Sequence, residues 1–318
     1  MQVVAQKIVV LGTGGTIAGT AAAAGDNLGY TSAQLGIAQL VAQWAPDAAW
    51  PVVTEQVAQI DSKDMDEAVW QRLTARCAHW LAQPDVRGIV ITHGTDTLEE
   101  TAFFLDRVLS PVKPVVLTCA MRPATAAVPD GPQNLLDAMA VAASDGARGV
   151  VAVCAGTVHA ARDVVKSHTY RLDAFSSGEA GPLGVVEEGR VRLYRAWPEP
   201  QAASAARYAR AVAQAERWPR VEIVLNHAGA NGRLVQALTD QGVDGLVAAG
   251  TGNGTLSAAL QAALLQVKAQ GVPVVRATRC THGQVLPHAG DLLPDSGGLS
   301  PVKARVALML EILARQPV

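Results

Sequence analysis

The chain has no long basic run and no marked excess of either charge: 26 Lys and Arg against 28 Asp and Glu leave a formal net charge of −2. The electrostatic footprint of a nucleic-acid binder is therefore missing, and small-molecule chemistry becomes the expectation. Cysteine is scarce as well. Cys77, Cys119, Cys154 and Cys280 are widely spaced, with neither C-x-x-C spacing nor a dense disulfide framework, so reduced thiols are expected. His282 and His288 do not form a zinc signature, and no metal or organic cofactor is expected. No apolar run reaches membrane-spanning length. The first follows only Lys7 and breaks at Gly12, so neither a signal peptide nor a transmembrane helix is read there, and a cytoplasmic location is expected. There is no tandem repeat, and no low-complexity tract beyond the alanines at 21–24.

What the chain does have is core-forming material. With 318 residues, 49% hydrophobic and 17% charged, it exceeds a typical single core and fits two α/β domains. Short aliphatic runs recur at KIVVLG, RGIVITHG, KPVVLTCAM and RGVVAVCAG, each bounded by glycine or proline. Such unbroken runs predict strands buried on both faces of a mainly parallel sheet covered by helices. Between them lie helical stretches. Asp64 and Glu67 have capping-box spacing ahead of Val69, Leu73, Cys77 and Leu81, which recur every fourth residue; Thr97 and Glu100 repeat that spacing before TAFFLDRVL. Gly131-Pro132 opens a third helix, with proline in the first turn. Residues 1–195 are thus read as a larger N-terminal α/β domain. Residues 196–219, with three prolines and no strand signal, read as an interdomain connection with room for a helical turn. In 220–318 the alternation resumes at VEIVLNHAG, GVDGLVAAGTGNG and GVPVVRATRC, giving a smaller C-terminal α/β domain.

Open parallel sheets bind ligands beyond the carboxyl ends of their strands, so the loops that follow the runs are the places to search. Three are rich in glycine and polar residues: GTGGTIAG at 12–19, THGTDT at 92–97 and GTGNGT at 250–255. The first is not a dinucleotide fingerprint, because Ile17 stands where the last glycine is needed, and not a P-loop, because Thr20 follows the final glycine instead of lysine. What remains is a tight turn exposing Thr16, a residue type that by itself is more often a turn or cap residue. Thr95 and Asp96 have the same bland alternative as caps of the helix beginning near Thr97, as does Ser62 before DMDEAVW; Tyr30 has that of a lid residue packed on the surface.

Taken together and in order, GTGGTIAG, IDSKDM, ITHGTDTLEETAFFLD, ARDVVK and GTGNG resemble the asparaginase and glutaminase-asparaginase family, over both domains. The resemblance implies an amidohydrolase that converts L-asparagine to L-aspartate and ammonia through an acyl-enzyme. Thr16 would be the nucleophile, with Tyr30 helping to remove its proton. Thr95, Asp96 and Lys166 would form a second catalytic group, in which Lys166 polarises the threonine hydroxyl or a water and Asp96 receives the substrate's ammonium. Ser62 would contact the α-carboxylate. Asn253 would reach the site of a neighbouring subunit, which implies at least a dimer, and the family's typical assembly implies a homotetramer built as a dimer of dimers. His93 is expected to support its turn.

Two departures from the family pattern stand out. Lys63 occupies a position where many members have glutamine, which would bring a cation to the substrate's own ammonium and is included among the substrate-binding candidates. After Arg279 no acid follows until Asp291, so the acidic contribution that many members make from the second domain is not transferred. The alternatives are a glutaminase-asparaginase of broader specificity and a non-hydrolytic amino-acid-binding sensor.

Overall fold

The four aliphatic runs of the N-terminal half all become strands. A computed structural model describes residues 6–316, and the chain divides into two compact units between Ala206 and Arg207. In the first unit, β1 (Lys7–Gly14), β2 (Val52–Ile60), β3 (Val86–Thr92), β4 (Val115–Thr118) and β5 (Val150–Cys154) pair in parallel, in the order β5-β4-β3-β1-β2. The sheet then continues antiparallel through β6 (Thr157–Ala160), while β7 (Val165–Lys166) and β8 (Phe175–Ser176) form a small hairpin of their own. Strands β9 (Gly184–Glu187) and β10 (Arg190–Leu193) add the far edge, giving eight strands in one mixed sheet.

Both faces of the sheet are covered, as unbroken apolar strands require. Ile8 and Val10 of β1 share a core cluster with α1 (Ile37–Trp44) and α4 (Gly131–Ala143), while Val9 and Leu11, equally buried, point the other way. On that side α2 (Glu67–Leu81) packs with α3 (Leu98–Leu109). There Trp70 stacks on Phe104 at 4.6 Å and donates its indole N–H to Thr101 Oγ1 at 2.9 Å. Such a ring pair contributes about 0.5–1.5 kcal/mol beyond area burial.

The helix starts differ from the sequence reading in detail. Asp64 does not cap α2; Asp66 does, accepting the Val69 N–H at 2.8 Å. The chain first makes a short 3-10 turn, Ser62–Asp64, whose own cap is Asp61. Thr97 stands at the N-cap position of α3, yet its side chain makes no capping bond. Pro132 lies in the first turn of α4 as the missing N–H predicts. The stretch 196–219 holds more than a turn: α5 (Ala202–Gln214) runs 13 residues.

In the second unit β11 (Val221–Leu225), β12 (Gly245–Gly250) and β13 (Val274–Thr278) form a parallel three-stranded sheet. α6 (Arg233–Asp240) and α7 (Ala258–Ala269) cover one face with Val235, Leu260 and Leu264; α8 (Pro301–Leu313) lies against all three strands and buries Val306, Met309 and Leu310. Among the described residues no helix is long and apolar enough to cross a membrane.

Candidate active site

Neighbouring parallel strands β1 and β3 end side by side, and the loops leaving their carboxyl ends meet. Thr13 Oγ1 donates to the Thr92 carbonyl at 2.9 Å, joining the two strand ends. Beyond them the backbones touch. A Cβ on Gly15 would lie 2.3 Å from the Gly94 Cα, and Gly15 sits at φ 81°, so contact and conformation both demand glycine. The third participant is the turn after β2: a Cβ on Gly94 would lie 2.4 Å from Ser62 Oγ, and the Gly15 N–H donates to the Ile60 carbonyl at 2.9 Å.

From this junction the candidate side chains project. Thr16 is buried, and its Oγ1 lies 2.6 Å from the Tyr30 hydroxyl. Tyr30 ends a loop that folds back on the Thr16 turn: Thr20 and Thr31 form a two-way backbone bridge, and Gln34 and Leu35 donate to the Ala18 carbonyl. Thr95 is buried as well, and receives a hydrogen bond of 2.7 Å from Lys166 Nζ. Lys166 also donates to Asp96 Oδ1 at 2.6 Å. Its side chain is only 18% exposed, whereas Asp96 is 52% exposed. Lys166 sits on β7, opposite Phe175, and its backbone N–H donates to Glu99 Oε1 at 3.3 Å. Two hydroxyls, each hydrogen-bonded to a group able to move or stabilise a proton, thus stand on adjoining loops.

Ser62 is almost completely buried and tied to the second loop twice: its Oγ accepts the Asp96 N–H at 3.1 Å, and its carbonyl accepts the Thr97 hydroxyl at 2.7 Å. With one of its lone pairs engaged by the Asp96 N–H, the Ser62 hydroxyl keeps its proton to donate elsewhere. Lys63 is placed differently. Its side chain is 60% exposed, and its ammonium bridges Asp64 at 2.8 Å and Asp61 at 3.2 Å. These two carboxylates, Asp64 foremost, raise the Lys63 pKa. Burial pushes the Asp61 carboxyl up, but hydrogen bonds from Lys63 and Ser32 outweigh it and hold the group below its usual range.

His93 is fully buried. Its Nδ1–H donates to the Gly94 carbonyl at 2.7 Å, and Nε2 has no partner among the described residues. Burial lowers its pKa to about 4, against the smaller opposing pull of the Gly94 carbonyl, so the ring is neutral at physiological pH. In the second unit, Asn253 uses both ends of its amide on one neighbour, donating to the Leu286 carbonyl at 3.0 Å and accepting the Leu286 N–H at 2.7 Å. Asp291 pairs with Arg276 at 2.5 Å. Among the described residues no group of three His, Cys, Asp or Glu side chains is arranged to hold a metal.

The roles of Thr97 and Glu99 in this junction were not visible in sequence. Thr97 contacts a residue 35 positions away and Glu99 one 67 positions away, and no local spacing signals either.

Comparison with known proteins places the whole chain in a family. Residues 7–199 match the family model described as "Asparaginase, N-terminal" and residues 220–316 match "Glutaminase/Asparaginase C-terminal domain". The chain is 39% identical over 317 residues to "L-asparaginase 2" of Escherichia coli, covering 96% of this chain and 88% of that protein. It is 36% identical over 320 residues to the "Glutaminase-asparaginase" of Pseudomonas fluorescens, covering 98% and 87%. A crystal structure of a "Probable Cytoplasmic L-asparaginase from Campylobacter jejuni" superposes with a TM-score of 0.90 at 35% identity, covering 98% of this chain and 96% of the other. Both units are matched and the relatives are spanned almost end to end: the chain belongs to the asparaginase family.

Proposed function

We propose that this protein hydrolyses L-asparagine to L-aspartate and ammonia with Thr16 as nucleophile. The observation that carries the reading is the adjacency of two loops, joined at Gly15 and Gly94, that present Thr16 with Tyr30 and Thr95 with Lys166. Thr16 Oγ1 attacks the carboxamide carbon, and its proton passes to the Tyr30 oxygen while Tyr30 gives its own to the departing nitrogen. The C–N bond breaks, ammonia leaves, and an ester to Thr16 remains. Water then attacks that ester, held by Thr95 and the Lys166 ammonium, and Thr16 recovers its proton as aspartate leaves. Lys166 acts here to orient Thr95, since its Nζ donates to both Thr95 and Asp96. Ser62 donates to the substrate's α-carboxylate. Asp96 Oδ1 is taken by Lys166, so Oδ2 faces the α-ammonium in a charge-assisted bond.

Ammonia release from asparagine, glutamine and their D-forms tests the reading. Thr16→Ala is expected to lower turnover by about three orders of magnitude or more, and Thr95→Val to act comparably, with the fold retained. Binding of asparagine by wild-type protein without ammonia release would favour an amino-acid sensor. Comparable turnover of glutamine would support the broader specificity carried in the name of the Pseudomonas relative. One methylene gives a pocket only about 1–3 kcal/mol of discrimination, so this choice belongs to the assay. We further infer a homo-oligomer and a cytoplasmic location; the second is supported by the name of the Campylobacter protein.

A further inference from the structure

We propose that Thr97 is a positioning residue that fixes the Ser62 turn against the Thr95–Asp96 loop and thereby sets affinity for the α-carboxylate end of the substrate. The inference rests on the reading of Ser62 as the carboxylate contact given above. Three observations carry it. Thr97 occupies the N-cap position of α3, where a threonine oxygen ordinarily accepts an N–H of the first turn, yet it makes no such bond. Its hydroxyl instead donates to the Ser62 carbonyl at 2.7 Å, across 35 residues of sequence. Beside it the Asp96 N–H donates to Ser62 Oγ at 3.1 Å, so two consecutive residues of one loop grip both the main chain and the side chain of Ser62.

The contact is specific in its consequence. The Asp96–Ser62 bond turns the Ser62 lone pair toward the loop and leaves its O–H free for a ligand; that orientation depends on the spacing between the two turns. On the other side, Ser62 Oγ occupies the space a side chain on Gly94 would fill, 2.4 Å from where its Cβ would stand. The Thr97 hydroxyl supplies the complementary restraint against drifting apart. The Thr97 hydroxyl is spent on Ser62, while Thr16 bonds Tyr30 and Thr95 bonds Lys166, so its loss leaves the nucleophile and its proton path in place. The Ser62 carbonyl also accepts the Met65 N–H at 3.1 Å, so removing the Thr97 hydroxyl does not strand it, and the variant protein is expected to fold.

The test compares Thr97→Val, which keeps the shape and deletes the donor, with Thr97→Ser, which keeps the donor. Thr97→Val is expected to raise KM for asparagine and the dissociation constant for L-aspartate about tenfold, as loss of one net hydrogen bond's influence would, with kcat close to wild type. Thr97→Ser should restore both constants. Unchanged KM and aspartate affinity in Thr97→Val overturn the proposal, as does a fall in kcat alone or a serine variant as impaired as valine. Aspartate binding, measured by calorimetry, separates this from the functional reading: wild-type protein that binds aspartate without releasing ammonia sinks the hydrolase while the Thr97 effect on binding still decides the proposal. Wild-type protein that does neither overturns both.

Discussion

Gly15 and Gly94 stand backbone to backbone, so close that a methyl group on the first would lie 2.3 Å from the Cα of the second. This contact brings together the loops that carry Thr16 and Thr95. It also yields two substitutions with different outcomes. Gly15→Ala adds the clash to a φ of 81°, costing about 1–3 kcal/mol in backbone strain alone, and should reduce soluble yield or melting temperature along with activity. Gly94 is not in the left-handed region. Gly94→Ala instead drives a methyl into Ser62 Oγ, 2.4 Å away, and should raise KM for asparagine with a smaller loss of stability. Thermal melts and steady-state kinetics on both variants check this; equal behaviour would argue against Ser62 as the group displaced.

Tyr30 meets Thr16 through its hydroxyl at 2.6 Å, while its ring packs close to Gly19. Removing only the oxygen separates the two contributions. Tyr30→Phe keeps the packing and should lower kcat by about 10²–10⁴, the usual worth of a positioned proton-transfer group, with little change in aspartate affinity or melting. A kcat that stays close to the wild-type value would assign Tyr30 to lid packing alone.

The sequence carries the central strands and the two threonine loops clearly, because parallel strands buried on both faces leave unbroken aliphatic runs bounded by glycine or proline. Strand β2 escaped that pattern: it is an edge strand, and Glu55, Gln56 and Gln59 interrupt its apolar residues. The β9–β10 hairpin is short and charged at its edge, so it too lacks a buried-strand signature. Prolines at 198, 200 and 219 hid α5, although 13 of the residues between them form a helix that buries Tyr208 and Val212. In the site, Lys166 lies on a two-residue strand that no periodicity can find, and only the family resemblance singled it out. The grip of Thr97 on Ser62 is a contact between turns, set by how β2 and β3 flank β1, and has no local signal.

Lys63 replaces the glutamine common in the family, and as a substrate contact it would oppose an ammonium. In the structure Asp61 and Asp64 hold its own ammonium at the exposed outer side of the Ser62 turn. Lys63→Gln is therefore expected to leave KM and kcat for asparagine at wild-type values and to change their salt dependence little. A clear drop in KM on substitution would mean that the lysine reaches the ligand in solution.

His93 provides a pH test of the loop that carries Thr95. Its folded pKa of about 4 lies below the ordinary 6.5, so the unfolded chain binds the extra proton first as pH falls. Stability from this group is fully present above 6.5, is lost progressively below it, and stops changing once the folded ring itself protonates near 4. Within that window the slope contributed approaches about 1.4 kcal/mol per pH unit. His93→Asn retains a donor near the position of Nδ1 and removes the titration. Urea unfolding at several pH values between 7 and 4 should show wild type losing stability more steeply than the variant. Parallel pH profiles would place the His93 ring in contact with water, free to protonate in the folded protein as it does in the unfolded one.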